Sequence, residues 1–357
     1  MLMTTPIADI DRAPSVEPDV VSVSTLHSRL KSQLGIRTVG ALYVWLVIIG
    51  VFAIWSPETF LSVDTVRNIL NQNAVTGLVA LGLVMPLSAG IFDLSIGATI
   101  ALSGIVAAWF IGNTSISPVL AALIGVACAL VVGLFNSVVV VGMRVDSFIA
   151  TLASGSIVSA VAIGISGNQL MLTGSSGPFA EFAQGTFLGV TLPVYYMLAV
   201  MVVLGVFLQK TVLGRQIYAT GFDGETARLA GIHTRRLRAL SMLVSAGLAG
   251  VAGIALASTL GAGSPTQGPT YLLPGFAAAF LGATQFQPGR FNTWGTVVAV
   301  LMIGTGQTGI TLVGAPSWAP DVFLGLVLII AVSVTGVERR SHHRGDKRRM
   351  AAAADRD

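Results

Sequence analysis

Charged residues are scarce in this chain. Asp, Glu, Lys and Arg make up 10% of its 357 residues, whereas a soluble domain carries about 25%. The chain is 54% hydrophobic, with a mean hydropathy of +0.82. So few charges cannot cover a surface that faces water, so lipid must be the solvent. This excludes a soluble globular protein and predicts an all-α integral membrane protein.

Residues that carry covalent or metal chemistry are also few. The single Cys128 cannot form an internal disulfide. The histidines lack zinc-ligand spacing, which predicts no metal site: they are His27, His233, His342 and His343. Because no cluster of nucleophile, base or metal ligands is evident, we predict no catalytic residue and no enzyme activity.

The chain also lacks the residues of a proton relay and of an ATP site. No series of carboxylates or histidines lies inside the apolar runs, and no Arg or Lys is mid-span, which argues against a proton pump and a voltage sensor. The Lys-hydroxyl pairs, Lys31-Ser32 and Lys210-Thr211, do not follow a glycine, so there is no P-loop. We predict no cofactor in this chain; if ATP drives it, a partner subunit binds the ATP.

The apolar residues fall into ten segments, most of them long enough for a hydrocarbon core of about 30 Å. The eighth is short and contains Pro274 and Gly275, so it is broken, tilted or re-entrant. Residues 261–270 before it are predicted to form an outer loop. The segments are 39–55, 68–88, 92–111, 119–141, 147–166, 191–208, 239–260, 271–286, 293–313 and 320–337.

The basic residues predict the orientation of these segments. Ten crossings put both termini on one side. With the termini in the cytoplasm, every Lys and Arg except Arg67 lies inside, as the positive-inside rule requires. We therefore expect a disordered N-terminal tail at 1–38, a membrane domain at 39–337 and a basic C-terminal tail at 338–357, with both tails cytoplasmic.

One polar, basic stretch, residues 209–238, interrupts the apolar sequence as a cytoplasmic loop. It is predicted to form a short helix over Glu225–Ala230, ended by Gly231. A helix this short is not stable alone and suits a groove on a partner; the alternative is an ordinary basic loop that only sets topology. We favour a docking element, whose candidate residues are Gly221, Asp223, Gly224, Glu225, Ala227, Arg228, Leu229 and Gly231.

Asp93 is the acid that lies deepest in the first apolar segments, within MPLSAGIFDLSIGA. An ionised Asp in hydrocarbon costs about 2.5–3.5 kcal/mol on insertion scales, so it must face protein or water. It either lies on a solute path or caps a helix that restarts after a break. We favour the cap, and a cap at a functional hinge satisfies both interpretations.

Several neutral polar side chains also lie within the apolar segments. Amides suit a path for uncharged polar solutes because they donate and accept hydrogen bonds. They suit bonds between helices equally well, at roughly 0.6–2 kcal/mol each. The candidates for a path or a helix break are Asn73, Gly90, Asp93, Ser95, Gly97, Asn136 and Gln307.

Three strings within residues 40–337 carry a family resemblance. They are Gly214-Arg215-x-Ile217-Tyr218-Ala219-x-Gly221 with Arg228-Leu229-x-Gly231-Ile232; Gly90-Ile91-x-Asp93-Leu94-Ser95-Ile96-Gly97; and Phe280-Leu281-Gly282-Ala283-Thr284 with Gly289-Arg290 and Gly295. In order and spacing the chain resembles the permease subunits of sugar-type ABC importers, such as ribose and xylose permeases. It departs from the family pattern at Gly224, where Glu is usual, and by the insertion of Phe92.

The resemblance implies a type II-like importer bundle of about ten helices in a bacterial cytoplasmic membrane. It implies a second permease copy or paralogue, a cytoplasmic P-loop ATPase that receives the short helix as a coupling helix, and an extracytoplasmic solute-binding protein. The expected cargo is a monosaccharide or related polyol, moved inward. The alternatives are a branched-chain amino-acid permease and a stand-alone secondary transporter or channel.

Overall fold

The computed structural model describes residues 36–174 and 177–334. The predicted tails lie outside these ranges, apart from residues 36–38, which begin the first helix. The helices are α1 Ile36–Trp55, α2 Pro57–Phe60, α3 Val63–Ser88, α4 Ile96–Asn113, α5 Pro118–Ser137, α6 Ser147–Ser166, α7 Pro178–Gln184, α8 Leu192–Lys210, α9 Val212–Phe222, α10 Gly224–Leu229, α11 Thr234–Leu260, α12 Leu272–Gly282, α13 Thr293–Leu312 and α14 Ala319–Val334.

A few short elements join these helices. A π-helical turn, Val138–Gly142, continues α5, and a 3₁₀ turn, Gly268–Tyr271, precedes α12. Two antiparallel pairs of two-residue strands complete the described elements: β1 Met171–Leu172 pairs with β4 Ala262–Gly263, and β2 Thr186–Phe187 pairs with β3 Val190–Thr191.

Seven of the described helices are long and apolar enough to cross a membrane. They are α3, α4, α5 with its π turn, α6, α8, α11 and α13. The apolar helices Leu42–Trp55 and Ala319–Val334 are shorter. The predicted all-α membrane class is thus confirmed, while the number of ten crossings stays a prediction.

Polar caps fix where several of the long helices begin. The side chain of Ser62 accepts a hydrogen bond from the Thr65 N–H at the start of α3 (3.1 Å). At the start of α6, Asp146 accepts from the N–H groups of Phe148 (3.0 Å) and Ile149 (3.2 Å). Such caps satisfy backbone donors that have no partner within the helix.

Helices α3, α4 and α11 form the core of the bundle. Their apolar windows are 78%, 72% and 61% buried, against 28–33% for α5, α6 and α8, so the latter expose apolar side chains to lipid or to another chain. Small residues allow close packing in the core: Ser103 of α4 donates to the Gly250 carbonyl of α11 (3.0 Å).

The eighth predicted segment, 271–286, does not form one continuous spanning helix. Its helix α12 has 11 residues, about 16 Å, or half of a hydrocarbon core of about 30 Å. The residues before α12, which were predicted as an outer loop, are partly buried in the bundle: Ala262 and Ser264 are buried, and the 3₁₀ turn packs against α4 at Gly97. Gly and Pro residues in 261–270 favour non-helical backbone, so hydropathy could not reveal that this stretch turns back into the bundle.

Candidate functional site: a docking helix beside a buried helix break

Helix α10 is the predicted docking helix, shifted by one residue. Its N-terminus is capped by Asp223, whose Oδ1 accepts from the N–H groups of Glu225 (3.0 Å) and Thr226 (3.1 Å). The hydroxyl of Thr226 donates to the other carboxylate oxygen (2.6 Å). The cap fixes the direction in which the short helix leaves the preceding one.

The C-terminus of α10 closes in a Schellman motif. The Ile232 N–H donates to the Ala227 carbonyl and the Gly231 N–H to that of Arg228, both at 3.0 Å. Gly231 has φ +83°, a left-handed conformation that glycine adopts without strain. With both ends capped, α10 holds its helical shape although it is too short to do so by itself.

A bidentate ion pair and exposed apolar side chains mark the surface of α10. Arg228 donates to both carboxylate oxygens of Glu225, at 2.5 and 3.1 Å. These hydrogen bonds lower the pKa of Glu225, so the carboxylate is charged at neutral pH. Leu229 and Phe222 are 74% and 68% exposed, which is typical of a surface that meets a partner.

A basic cavity of about 750 Å³ lies beside α10. Its charged lining residues are Arg144, Arg228, Arg235, Arg238, Asp146 and Glu225. A Cβ atom on Gly224 would lie 2.8 Å from a terminal nitrogen of Arg238. The Arg238 guanidinium therefore occupies the space that a side chain at position 224 would need. This is the position at which the sequence resemblance led us to expect Glu.

Helix α9, which the sequence analysis did not predict, joins the docking helix to the bundle. Its last residues pass the end of α3 so closely that a Cβ on Gly221 would lie 2.9 Å from the Gly90 nitrogen. Gly90 itself has φ +76°, a left-handed conformation, and lies in the non-helical stretch between α3 and α4. Backbone therefore meets backbone at this contact, two residues before the Asp223 cap.

The tyrosine of α9 fixes the same helix to the loop before α13. The Tyr218 hydroxyl donates to the Phe291 carbonyl (2.6 Å). The Arg290 guanidinium lies 5.7 Å from the centre of the tyrosine ring. Burial raises the pKa of Tyr218 to about 12, so the hydroxyl keeps the proton that it donates.

Asp93 lies in the helix break and is 2% exposed. Its Oδ1 accepts from the Ser95 N–H (3.1 Å) and hydroxyl (2.6 Å), and its Oδ2 accepts from the Ser245 hydroxyl (2.7 Å). Asn136 donates to the Ser95 hydroxyl (2.7 Å). Asp93 thus ties the break to α11 and, through Ser95, to α5. The predicted cap is not observed: Ser95 occupies the N-cap position of α4, and Asp93 accepts from Ser95 and not from the N–H groups of the first helical turn.

Backbone groups of the break are held by α6. The Phe92 N–H donates to the Ser147 hydroxyl (3.1 Å) and the Leu94 N–H to the Thr151 hydroxyl (3.0 Å). Non-helical backbone inside a membrane protein needs such partners, because lipid offers none.

Comparison with known proteins gives this architecture a family. Residues 65–332 match the family described as branched-chain amino acid transport system / permease component. The chain belongs to this family. The resemblance found in the three strings is therefore confirmed at the family level.

Curated relatives of the permease cover most of its length. The ribose import permease of Bacillus subtilis is 33% identical over 80% of this chain and 88% of its own. The L-arabinose ABC transporter permease of Azospirillum brasilense is 31% identical over 82% and 86%. The D-allose transport system permease of Escherichia coli is 30% identical over 83% and 90%. No solved structure matches the chain.

The permease brings some of the predicted path residues together and not others. Gly90, Asp93, Ser95 and Asn136 meet at the break, and Gly97 lies in the first turn of α4, against Pro269. Asn73 and Gln307 lie elsewhere, on α3 and α13. The Asn73 amide donates to a carbonyl of its own helix (2.8 Å).

The sequence analysis did not identify Ser245, Ser147 or Thr151 as partners of the break. Ser245 is one of several small residues in a Gly- and Ala-rich helix, and nothing in its neighbourhood distinguishes it. Its contact with Asp93 joins residues 152 positions apart, so only the tertiary structure reveals it.

Proposed function

We propose that this chain is the membrane-spanning permease subunit of an ATP-driven importer that moves a monosaccharide or related polyol into the cell. The observation that carries the coupling is the capped helix α10, which presents Leu229 and Phe222 outward. A helix that is pre-shaped at both ends binds a groove with less ordering cost than a flexible loop. A cytoplasmic P-loop ATPase is the partner that we assign to this surface.

The backbone contact of Gly221 with Gly90 supports a mechanical route from α10 to the bundle. In the proposed cycle, ATP closes the ATPase pair, moves α10 and α9, and shifts the bundle between inward-open and outward-open states. The chain supplies no covalent chemistry in this cycle, so we assign it no catalytic residue, metal or cofactor.

The relatives' names support the cargo class, since they name ribose, L-arabinose and D-allose. The family's description favours branched-chain amino acids as the second candidate. Competition separates the two: unlabelled pentoses and hexoses, but not leucine, should inhibit uptake by cells that depend on this permease. Inhibition by leucine alone would support the amino-acid candidate.

We further propose a bacterial cytoplasmic membrane location with ten crossings and both termini inside. An extracytoplasmic binding protein would deliver the solute, and a second permease copy or a paralogue would complete the bundle. These assignments rest on the family and on the distribution of basic residues.

Co-purification from native membranes tests the ATPase assignment. The tagged chain should recover a P-loop ATPase, and scrambling residues 223–231 should abolish recovery without lowering the membrane level of the permease. Scrambling the exposed residues of α7, which has seven residues and lies on the predicted outer side, is the matched control and should leave recovery intact. Recovery that survives the scrambling of 223–231 would contradict the assignment.

A further inference from the structure

The residues that precede α12 run back along α4. After α11 ends, Gly263 approaches α4 at Gly104 and Ile105, where a Cβ would lie 2.9 Å from the Ile105 Cα. Farther along, Pro269 lies against Gly97: a Cβ on Gly97 would lie 2.9 Å from the Pro269 Cα. Between these two contacts the chain follows α4 from residue 105 back to residue 97, a distance of about 12 Å along the helix axis at 1.5 Å per residue.

We term residues 264–271 the unwound segment, because they form a loop and a 3₁₀ turn and no α-helix. The segment leads down to the first turns of α4, where Gly268 and Pro269 pack against Gly97. Irregular backbone at membrane depth is tolerated only where it is buried in protein or lines water. Ser264 is buried, whereas Thr266, Gln267 and Thr270 are exposed in the single chain. The Thr270 hydroxyl donates to the Gln267 carbonyl (2.6 Å), and the Thr266 hydroxyl pairs with that of Ser264 (3.4 Å). The exposed side-chain amide of Gln267 calls for water or a polar solute beside it, because lipid offers no hydrogen-bond partner.

A cavity of about 430 Å³ opens between the unwound segment, α4 and α6. Its size falls within the range of small-molecule sites, about 300–1,000 Å³. Ser156 and Ser159 supply hydroxyl groups, and no lining residue is charged. The rest of the lining is glycine, proline or apolar: Leu94, Gly97, Ala98, Leu152, Gly155, Ala160, Ile163, Pro269 and Leu272. A mainly apolar wall with a few polar groups is typical of small-molecule sites. Because hydroxyls both donate and accept, this wall suits a neutral solute that carries hydroxyl groups, and it offers no partner to the charged ends of an amino acid.

We propose that this cavity and the unwound segment form a wall of the translocation path and bind an uncharged, polyhydroxylated solute there. The proposal rests on the proposed function and assigns a place to its cargo. In many secondary transporters, discontinuous helices at membrane depth form the substrate site, because their free backbone groups can bind a solute. The same physical reason applies to non-helical backbone here. The glycines of the wall let its elements pack closely against one another: a Cβ on Gly97 would lie 2.9 Å from the Pro269 Cα, and a Cβ on Gly155 would lie 3.3 Å from the Ser95 Cα.

Single cysteines test whether the wall faces water, independently of transport. In a Cys128→Ala background, cysteines at Ser156, Ser159, Gln267 and Thr270 should react with a small hydrophilic thiol reagent in membrane vesicles. Ile157 and Val161 of α6 are 57% and 46% exposed but do not line the cavity, so they serve as matched controls. Cysteines there should react at least about tenfold more slowly, because apolar surroundings suppress the thiolate.

Transport variants test whether the wall binds solute. Ser159→Ala removes the hydroxyl group with little change in the size of the side chain, and it should lower sugar uptake about fivefold through the lost hydrogen bond. Val161→Thr, a change between a methyl and a hydroxyl group on the same helix but outside the cavity, should leave uptake unchanged. Recovery of the ATPase with the Ser159→Ala chain should stay at the level of the parent.

Two results would overturn the proposal: wall cysteines that react as slowly as those at Ile157 and Val161, or unchanged uptake by Ser159→Ala. The first would mean that lipid or a second copy covers the segment. Failure of the proposed function looks different: the parent chain would recover no ATPase, while the cysteine reactivities would still decide whether the wall faces water.

Discussion

At the scale of single residues, Asp93 has the most demanding environment. A buried carboxylate is tolerable only when its oxygens accept hydrogen bonds, and here both do, from Ser95 and Ser245. The string around Asp93 was enough to predict a helix break, but not the role of Asp93, which accepts from the N-cap residue Ser95 and does not itself cap α4. The link to Ser245 was not predictable, because it depends on how α11 packs.

Replacement of Asp93 tests whether its hydrogen bonds or its charge matters. Asp93→Leu leaves the donors on Ser95 and Ser245 unsatisfied, at about 1–3 kcal/mol each, whereas Asp93→Asn keeps one acceptor. We expect Asn to lower uptake and the thermal midpoint in detergent less than Leu does. Asp64→Asn is the control, since the Asp64 side chain is 86% exposed. Equal losses for Asn and Leu would show that the negative charge itself is needed.

We expect the Glu225–Arg228 pair to contribute to docking on the ATPase and not to the folding stability of the permease. Both side chains are more than 60% exposed, and such exposed pairs contribute little to stability. Reversing both charges should reduce ATP-driven uptake and leave membrane insertion unchanged, because it opposes the helix dipole and presents inverted charges to the partner. Uptake is measured at matched membrane levels.

The ion pair of Asp64 and Arg67 provides the control for this reversal. It has the same i, i+3 spacing, at 3.5 Å, but lies at the other end of the bundle. Its reversal should leave uptake near that of the parent. Parent-like uptake after reversal of Glu225 and Arg228 would refute their role.

At the scale of elements, the path from the docking helix to the bundle passes through α9. We expect Gly221→Ala to separate α9 from the break, because a methyl group there meets backbone atoms of residues 88–90 that cannot rotate away. The ATPase should still be recovered with this variant, since α10 is intact, while uptake per ATP hydrolysed should fall severalfold.

Gly247→Ala is the matched control for this element. It is also a helix glycine, but a Cβ there would meet only a Leu130 methyl group at 3.4 Å, an ordinary contact. Its uptake per ATP should match that of the parent. If Gly221→Ala also keeps parent-like coupling, α9 does not transmit motion through this contact.

The predictable elements were those with one dominant signal. Long apolar runs located the transmembrane helices, and the glycine at 231 with polar flanks located α10 within one residue. Helix α9 mixes Arg215 and Gln216 with apolar residues over 11 positions, so neither hydropathy nor caps marked it. The unwound segment was missed for the opposite reason: its composition matches a surface loop, and only packing against α4 reveals its depth.

At the scale of the whole molecule, the orientation predicted from the basic residues can be tested by accessibility. In a Cys128→Ala background, cysteines at Ser115 and Ser317 should react with an impermeant reagent on intact spheroplasts. Cysteines at Arg236 and Arg290 should react only after the membrane is opened. These positions are all exposed, so burial does not confound the comparison.

Position 290 decides whether α12 and the unwound segment together complete a crossing. Labelling of Arg290→Cys from outside would mean that this segment re-enters without crossing, and the number of crossings would then be nine. Labelling of Arg236→Cys from outside would instead mean that the whole bundle has the opposite orientation. The docking helix would then lie outside, away from any cytoplasmic ATPase.

The central claim is that this permease moves a sugar-like solute inward at the expense of ATP bound by another subunit. The most direct measurement reconstitutes the chain with its co-purifying ATPase in proteoliposomes and supplies the binding protein loaded with labelled ribose. The account predicts uptake that requires ATP on the ATPase side and disappears when residues 223–231 are scrambled. Uptake that proceeds equally well without ATP, or that survives the scrambling, would contradict it.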